Sequence, residues 1–134
     1  TISKSDNEID KVTSEIKVYS ESDHLANVSD ETKDLYDKLK SAILNFDNVE
    51  VKAKAKYIAF VAGSNFIDIH PQKKAVKIWL NLSKGDLDDP RGITRDVSAT
   101  GHWGNGDYEI QITNDENIDY IMSLVKQSYK KNYK

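Results

Sequence analysis

Cysteine is absent from this chain, and proline, methionine and tryptophan are scarce, with two, one and two residues among 134. Without cysteine there can be no disulfide scaffold, no thiolate zinc site, no iron–sulfur ligation and no cysteine nucleophile. The longest apolar runs, such as residues 57–62, are far shorter than the roughly 20 residues that a membrane-spanning helix needs. No signal-peptide core is present in the first residues. We therefore expect a cytoplasmic protein with no part in a membrane.

Charge and length indicate one domain with a polar extension. The chain has 19 Lys+Arg against 22 Asp+Glu, a formal net charge of -3. A domain of this length buries roughly two thirds of its unfolded surface, which suffices for a core. Residues 1–18 are polar and are predicted to be a linker or the remnant of an upstream domain, and residues 19–134 a single domain. Because the first residue is Thr1 and not Met, we expect a piece of a longer protein.

Hydrophobic periodicity gives the order of elements. Ser29 is a good N-cap residue, and the apolar positions after it predict a helix over about 30–46. A second helix is predicted after Asn114 and Asp115, which we expect to cap it. Between the helices the apolar residues alternate, which indicates strands at about 49–52, 57–61, 66–69, 75–82 and 108–113. The sequence predicts an α+β fold, an antiparallel sheet of about five strands flanked by an N-terminal and a C-terminal helix.

One long loop, residues 83–107, is unusual in composition. It holds five of the six glycines, at positions 85, 92, 101, 104 and 106. Loops of this length are usually functional or disordered. Trp103 favours an ordered loop, because a mobile loop would leave its large ring in water.

This loop carries the candidate ligand site. Mixed charges, an aromatic platform and backbone exposed by glycine suit recognition better than they suit a core. The candidate ligand-binding residues are Asp89, Arg91, Arg95, His102, Trp103, Asn105 and Asp107. An alternative is that Arg91 and Arg95 pair with these aspartates and only order the loop.

Catalytic and metal chemistry have weaker support. The loop carboxylates at 86, 88, 89, 96, 107 and 109, together with His102, could bind a divalent metal. A restriction-nuclease motif would need Lys where Gln111 stands. Ser98, His102 and Asp107 lack the strand-to-helix elbow of a hydrolase nucleophile. We predict no catalytic residue, no metal and no cofactor, and keep a metal-dependent hydrolase or nuclease as an alternative.

A basic segment stands out in an acidic chain. Residues 52–77 contain six lysines and one aspartate, a net charge of +5. Lys52, Lys54 and Lys56 have the period of two that would place them on one face of a strand, where they could follow a phosphate backbone. They are candidates for weak nucleic-acid binding. The alternative is that they protect an exposed strand from edge pairing.

Several motifs together resemble a known bacterial family. They are Asp23-His-Leu-Ala-Asn27, Lys56-Tyr-Ile-Ala-Phe60, Pro71-Gln-Lys-Lys74, Leu87-Asp-Asp-Pro-Arg-Gly92, Arg95-Asp-Val-Ser98 and Gly101-His-Trp-Gly-Asn-Gly-Asp-Tyr-Glu109. Over about residues 19–131 the chain resembles the family called domain of unknown function 5655. The resemblance implies a domain placed C-terminal to a restriction-endonuclease-like domain, in proteins that often carry the label "predicted transport protein". No pore or carrier signature supports that label here.

Three functional hypotheses follow. The leading one is a non-catalytic accessory domain that binds a ligand, a nucleic acid or a partner protein for an attached nuclease-like domain. The second is the metal-dependent hydrolase described above. The third is a self-association module that uses the apolar parts of the last helix or an open strand edge.

Overall fold

Two serines begin the first two helices. The computed structural model describes residues 19–101 and 104–133, so the predicted linker, His102 and Trp103 lie outside the described residues. The three helices are α1 (Glu21–Leu25), α2 (Asp30–Ile43) and α3 (Ile118–Asn132). Ser20 accepts a hydrogen bond from the backbone N–H of Asp23, and Ser29 accepts one from that of Thr32, both at 3.2 Å. The cap predicted at Ser29 is confirmed.

The ends of the two long helices differ from the prediction. α2 stops at Ile43, short of the predicted residue 46. The prediction that Asn114 and Asp115 cap α3 was wrong, because the N-cap is Asn117, which makes no side-chain capping hydrogen bond. Asn114 instead accepts a hydrogen bond from the backbone N–H of Glu116, and Asp115 forms an ion pair with Lys38 of α2. None of the described helices has the length and apolar character needed to cross a bilayer.

Six strands form one antiparallel sheet in the order β1-β2-β3-β4-β6-β5. The α+β fold with helices on the N-terminal and C-terminal sides is confirmed. The sixth strand, which the sequence did not reveal, is two residues long and lies inside the long loop. The strands are β1 (Glu50–Ala53), β2 (Ile58–Ala62), β3 (Ser64–Pro71), β4 (Val76–Leu80), β5 (Arg95–Asp96) and β6 (Tyr108–Ile112).

α2 and α3 cover one face of the sheet. Apolar residues of β2, β3, β4 and β6 alternate onto this face and form the core with the inner faces of the two helices. A register shift between Phe60 and Val61 interrupts the β2–β3 ladder. This bulge lets both Phe66 and Ile67 join the core, where Phe66 makes an edge contact with Tyr129 of α3.

The opposite face is also buried at its centre. Directly paired residues of β2, β3, β4 and β6 form a row across it: Ala59, Asp68, Trp79 and Glu109. Their exposed fractions are 1%, 0%, 2% and 8%. Part of the long glycine-rich loop lies on this row, so we call this side the loop-covered face. Burial on both faces explains why β4 is almost continuously apolar.

Candidate functional site

The first part of the long loop is held against α3 by Tyr120. The Tyr120 hydroxyl donates a hydrogen bond to Asp89 and accepts one of 3.0 Å from the backbone N–H of Arg91. The Arg91 guanidinium lies over the Tyr120 ring, 4.4 Å from its centroid. Asp89 also accepts hydrogen bonds from the backbone and hydroxyl of Thr94, at 2.8 and 2.7 Å. Partial burial raises the pKa of Asp89, but these hydrogen bonds outweigh it and the net pKa is lowered.

Asp107 closes the far end of the same loop. Its carboxylate accepts a hydrogen bond of 2.8 Å from the backbone N–H of Lys84. Its own backbone donates to Leu82 at 2.9 Å and accepts from Val97 at 2.8 Å. These contacts join the start, middle and end of the loop. Asp107 therefore has a structural role, because its hydrogen bonds hold the two ends of the loop together.

Asn105 covers the buried carboxylate of Asp68. The Asn105 backbone N–H and side-chain amide donate to Asp68 Oδ2 at 2.6 and 3.0 Å, and the Asn65 amide donates to Oδ1 at 2.7 Å. The Asn105 amide also lies 3.2 Å from the hydroxyl of Tyr57. Burial raises the pKa of Asp68, and it outweighs the lowering by these hydrogen bonds and by the charge of Lys54.

Next to Asp68 in the row, Trp79 and Glu109 form a second buried polar pair. The indole N–H of Trp79 donates to Glu109 Oε1 at 3.0 Å. Lys77 Nζ and Arg95 Nη1 each lie 3.8 Å from the same carboxylate. Gly104 packs on the Trp79 ring so closely that a Cβ at that position would overlap it. The absence of a side chain at Gly104 is what lets the loop approach the sheet.

The predicted ligand site is therefore divided between two places. Asp89 and Arg91 contact α3, whereas Arg95 and Asn105 contact the buried row of the loop-covered face. Of the two predicted arginines, Arg95 has a carboxylate partner and Arg91 packs on an aromatic ring. His102 and Trp103, the other candidates, lie outside the described residues.

The predicted arrangement of the three lysines on one strand face was wrong. Only Lys52 lies in β1, which ends at Ala53. Lys54 and Lys56 lie in the turn between β1 and β2, where the backbone N–H of Lys54 donates to the carbonyl of Tyr57 at 2.8 Å. All three lysine side chains are exposed. Lys52 pairs with Ala59 and so lies beside the buried row at the edge of the sheet, whereas Lys54 and Lys56 lie at one end of the loop-covered face.

Two histidines hold this turn by its backbone. His24 Nε2 of α1 lies 2.6 Å from the carbonyl oxygen of Lys54, and His70 of β3 hydrogen-bonds the backbone of Lys56. The cross-strand partner of His70 is Lys77. Burial and the positive charges of His24, Lys77 and Lys56 lower the pKa of His70, whereas the Lys56 backbone raises it and the net pKa is lowered.

Asp68, His70 and Trp79 were not among the predicted site residues. Asp68 had a usable signal, because it is the one acidic residue among six lysines in residues 52–77. Trp79 lies between two core residues in β4, and the apolar run itself indicates a strand that is buried on both faces. Residue type alone did not distinguish His70 from an ordinary surface histidine.

One cleft on the described surface is not lined by any of the predicted site residues. A cleft of about 310 Å³ on the helical side is lined by Glu31, Asp34, Leu35, Lys38, Thr113, Asn114 and Asp115. Within residues 19–101 and 104–133, no group of three or more histidine, aspartate or glutamate side chains is arranged to hold a metal ion.

Fold and site together define an α+β domain whose antiparallel sheet is covered by helices on one face and by a glycine-rich loop on the other. The sequence profile of the family described as domain of unknown function (DUF5655) matches residues 21–132, and the chain belongs to this family. It is similar to an uncharacterized protein of Haemophilus influenzae, with 51% identity over 120 residues. The aligned region is 89% of this chain and 40% of that protein, so the chain spans about two fifths of its relative. No solved structure matches.

Proposed function

We propose that the domain is a non-catalytic recognition domain of a longer protein and that its ligand is nucleic acid. The observation that carries this proposal is the distribution of charge between the long loop and the lysines next to it. The loop carboxylates Asp89 and Asp107 accept hydrogen bonds from the chain's own backbone, whereas the lysines beside the loop are exposed. Cations that reach solvent are the groups that neutralise a phosphate backbone.

Two turns bring the lysines of the basic segment to the same end of the sheet. Ile58 at the start of β2 pairs with Ile69 near the end of β3, so the β1–β2 and β3–β4 turns are neighbours. We call this the basic end; its lysines are Lys54, Lys56, Lys73, Lys74 and Lys77. The single acidic residue of the segment, Asp68, is fully buried under Asn105. The charge that the segment presents to solvent is therefore entirely positive.

The hydrolase alternative has less support. A metal site built from the loop would need free carboxylate oxygens, yet Asp89 and Asp107 already accept hydrogen bonds from Thr94 and Lys84. Asp96 accepts one of 2.9 Å from the backbone N–H of Ser98. Arranged in this way, the carboxylates stabilise the loop.

We also propose that the domain acts in the cytoplasm as an accessory to a nuclease-like domain upstream. The relative in Haemophilus influenzae is much longer than this chain, which leaves room for such a domain. α1, the first described helix, contacts the basic end through His24 and Lys54. Nucleic acid bound at the basic end would then lie near the junction with the upstream chain.

Fluorescence anisotropy with labelled single- and double-stranded oligonucleotides, measured over a range of salt concentrations, tests the proposal. Replacing Lys52, Lys54 and Lys56 together by Gln should reduce the slope of log K against log salt by roughly two to three, at about 0.7 to 0.9 per phosphate contact. The matched control replaces three exposed lysines of α3 by Gln: Lys126, Lys130 and Lys131. This control should leave the slope unchanged.

Two results would contradict the proposal. One is the absence of binding to any single- or double-stranded DNA or RNA at low salt. The other is an equal loss of slope in the two triple variants, which would indicate a diffuse effect of net charge. Circular dichroism of both variants establishes that they are folded.

A further inference from the structure

Two imidazole rings contact the backbone of the β1–β2 turn from different sides. His24 comes from α1 and contacts the carbonyl of Lys54, whereas His70 comes from β3 and contacts the backbone of Lys56. A carbonyl oxygen only accepts hydrogen bonds, so Nε2 of His24 carries the donated proton. This contact persists when the ring takes up a second proton at Nδ1. The hydrogen bond between His70 and the Lys56 backbone likewise favours the protonated ring, so a proton on His70 does not release the turn.

The charged groups near His24 and His70 come from several elements and differ in the sign of their charge. His24 of α1, Lys56 of the turn and Lys77 of β4 each lower the pKa of His70. Lys77 Nζ also lies 3.8 Å from the Glu109 carboxylate of β6. Asp68, two residues away on the same strand, is engaged by Asn105 and Asn65.

The acidic side chains of α1 face other partners. Glu21 accepts hydrogen bonds from Tyr36 and Lys40, and Asp23 accepts one of 2.9 Å from the backbone N–H of Ser20. Burial of His70 and the positive groups around it therefore disfavour a further proton there as long as no anion is present.

We propose that the basic end is a proton-linked phosphate site, at which Lys54, Lys56 and Lys77 bind phosphate groups of a nucleic acid while His24 and His70 take up protons. This inference rests on the proposed function and adds its pH dependence. A phosphate bound among these cations supplies a negative charge that stabilises the protonated histidine rings. Each proton taken up by a histidine then strengthens binding.

The linkage between proton binding and phosphate binding determines whether the affinity rises or falls with pH. The pKa of His70 is below its ordinary value of 6.5 in the free domain, and a bound phosphate raises it. Between these two pKa values the bound domain carries more protons than the free one. Affinity therefore rises as the pH falls through the pKa of the bound state toward that of the free state, by about tenfold for each unit by which binding raises a histidine pKa.

The test compares the wild-type domain with the His24→Gln, His70→Gln and double variants, using a short labelled single-stranded oligodeoxynucleotide at fixed ionic strength. Gln keeps an N–H donor for the turn carbonyls but does not titrate. We expect all four proteins to bind at about pH 8, and only the wild type to gain its full affinity on acidification. His102 is retained in every variant and cannot cause a difference between them.

Calorimetry gives a second readout. Titrations in two buffers of different ionisation enthalpy should show proton uptake on binding for the wild type, and uptake near zero for the double variant. Binding that does not change with pH, or an unchanged pH dependence in the double variant, overturns this inference and leaves the proposed function intact. Absence of binding at every pH overturns both. Inorganic phosphate that shifts the histidine resonances while the oligonucleotide does not bind overturns the assignment to nucleic acid.

Discussion

Trp79 and Glu109 face each other across β4 and β6, and the indole N–H of Trp79 donates a hydrogen bond of 3.0 Å to the Glu109 carboxylate. Both side chains are almost fully buried, at 2% and 8% exposure. A buried N–H without an acceptor is costly, so this pair stabilises the loop-covered face as long as both partners are present. Lys77 and Arg95, each 3.8 Å from the carboxylate, balance its charge.

Replacing Glu109 tests this pair. Glu109→Ala should lower the free energy of unfolding by about 1–3 kcal/mol more than Glu109→Gln, because Gln keeps an oxygen that accepts from Trp79. The Gln variant loses only the attraction to Lys77 and Arg95, which is worth at most about 1 kcal/mol for a partly exposed pair. Urea denaturation provides the measurement. Equal destabilisation by Ala and Gln would show that the hydrogen bond contributes nothing.

Because Gly104 packs directly on the Trp79 ring, we expect that a side chain at position 104 destabilises the domain. Gly104→Ala should destabilise the domain by about 1–3 kcal/mol, because the new methyl group overlaps the indole ring. Gly101→Ala is the matched control, since a Cβ there meets nothing within 4 Å. Thermal denaturation followed by circular dichroism compares the two variants. If the Gly104 variant were as stable as the control, the loop would not be seated on Trp79.

The buried carboxylate of Asp68 predicts an unusual pH dependence of stability. Because its pKa in the folded state is raised above the ordinary 3.8, folding binds a proton as the pH falls toward that value. The stability that the protonated Asp68 carboxyl contributes is fully present below pH 3.8 and is lost as the pH rises through the folded-state pKa. The stability of the wild type relative to Asp68→Asn should therefore fall as the pH rises through this window.

The Asn variant is the right reference for this measurement because it keeps an oxygen that accepts from Asn105 and has no titration of its own. Rotation of the Asn65 amide would turn its Oδ1, which has no partner in the wild type, toward the new amide at position 68. Urea denaturation at several pH values gives the difference in free energy. A difference independent of pH, or one that grows with rising pH, would contradict the assigned direction.

The contacts of Asp89 predict local opening of the loop when this carboxylate is removed. Asp89→Ala should speed amide exchange at residues 91–94 by roughly tenfold, since the backbone N–H of Thr94 loses its acceptor. Asp86→Ala, a change at an exposed position of the same loop, is the control. Because the pKa of Asp89 is lowered in the folded state, its contribution to stability disappears as the pH falls through that pKa. Hydrogen exchange followed by mass spectrometry measures the opening at neutral and acidic pH.

Local patterns accounted for most of the secondary structure. Ser29 began α2 as predicted, because an N-cap hydrogen bond involves residues three positions apart and is visible in the sequence. The alternation of apolar residues located β1 to β4 and β6 for the same reason. The two residues of β5 had no such pattern. Arg95 and Asp96 are a strand only because β6 lies beside them.

The candidate site was much less predictable. The composition of residues 83–107 correctly identified an unusual loop, but not its contacts. Asp89 and Arg91 were expected to act with Asn105, yet the first two contact Tyr120 and the third contacts Asp68, which is 37 positions away in sequence. Residue type does not reveal which donor a carboxylate will meet.

The sequence by itself determined the α+β class and the excess of lysine in residues 52–77, because these depend on composition and on periodicity within one element. The tertiary structure alone decided which face the loop covers, that Asp68 is hidden from solvent, and that His24 and His70 meet at one turn. These relationships join residues of different elements through strand register and packing, and local pattern does not encode them. Register places Asp68 beside Trp79, and that position determines whether its charge reaches the surface.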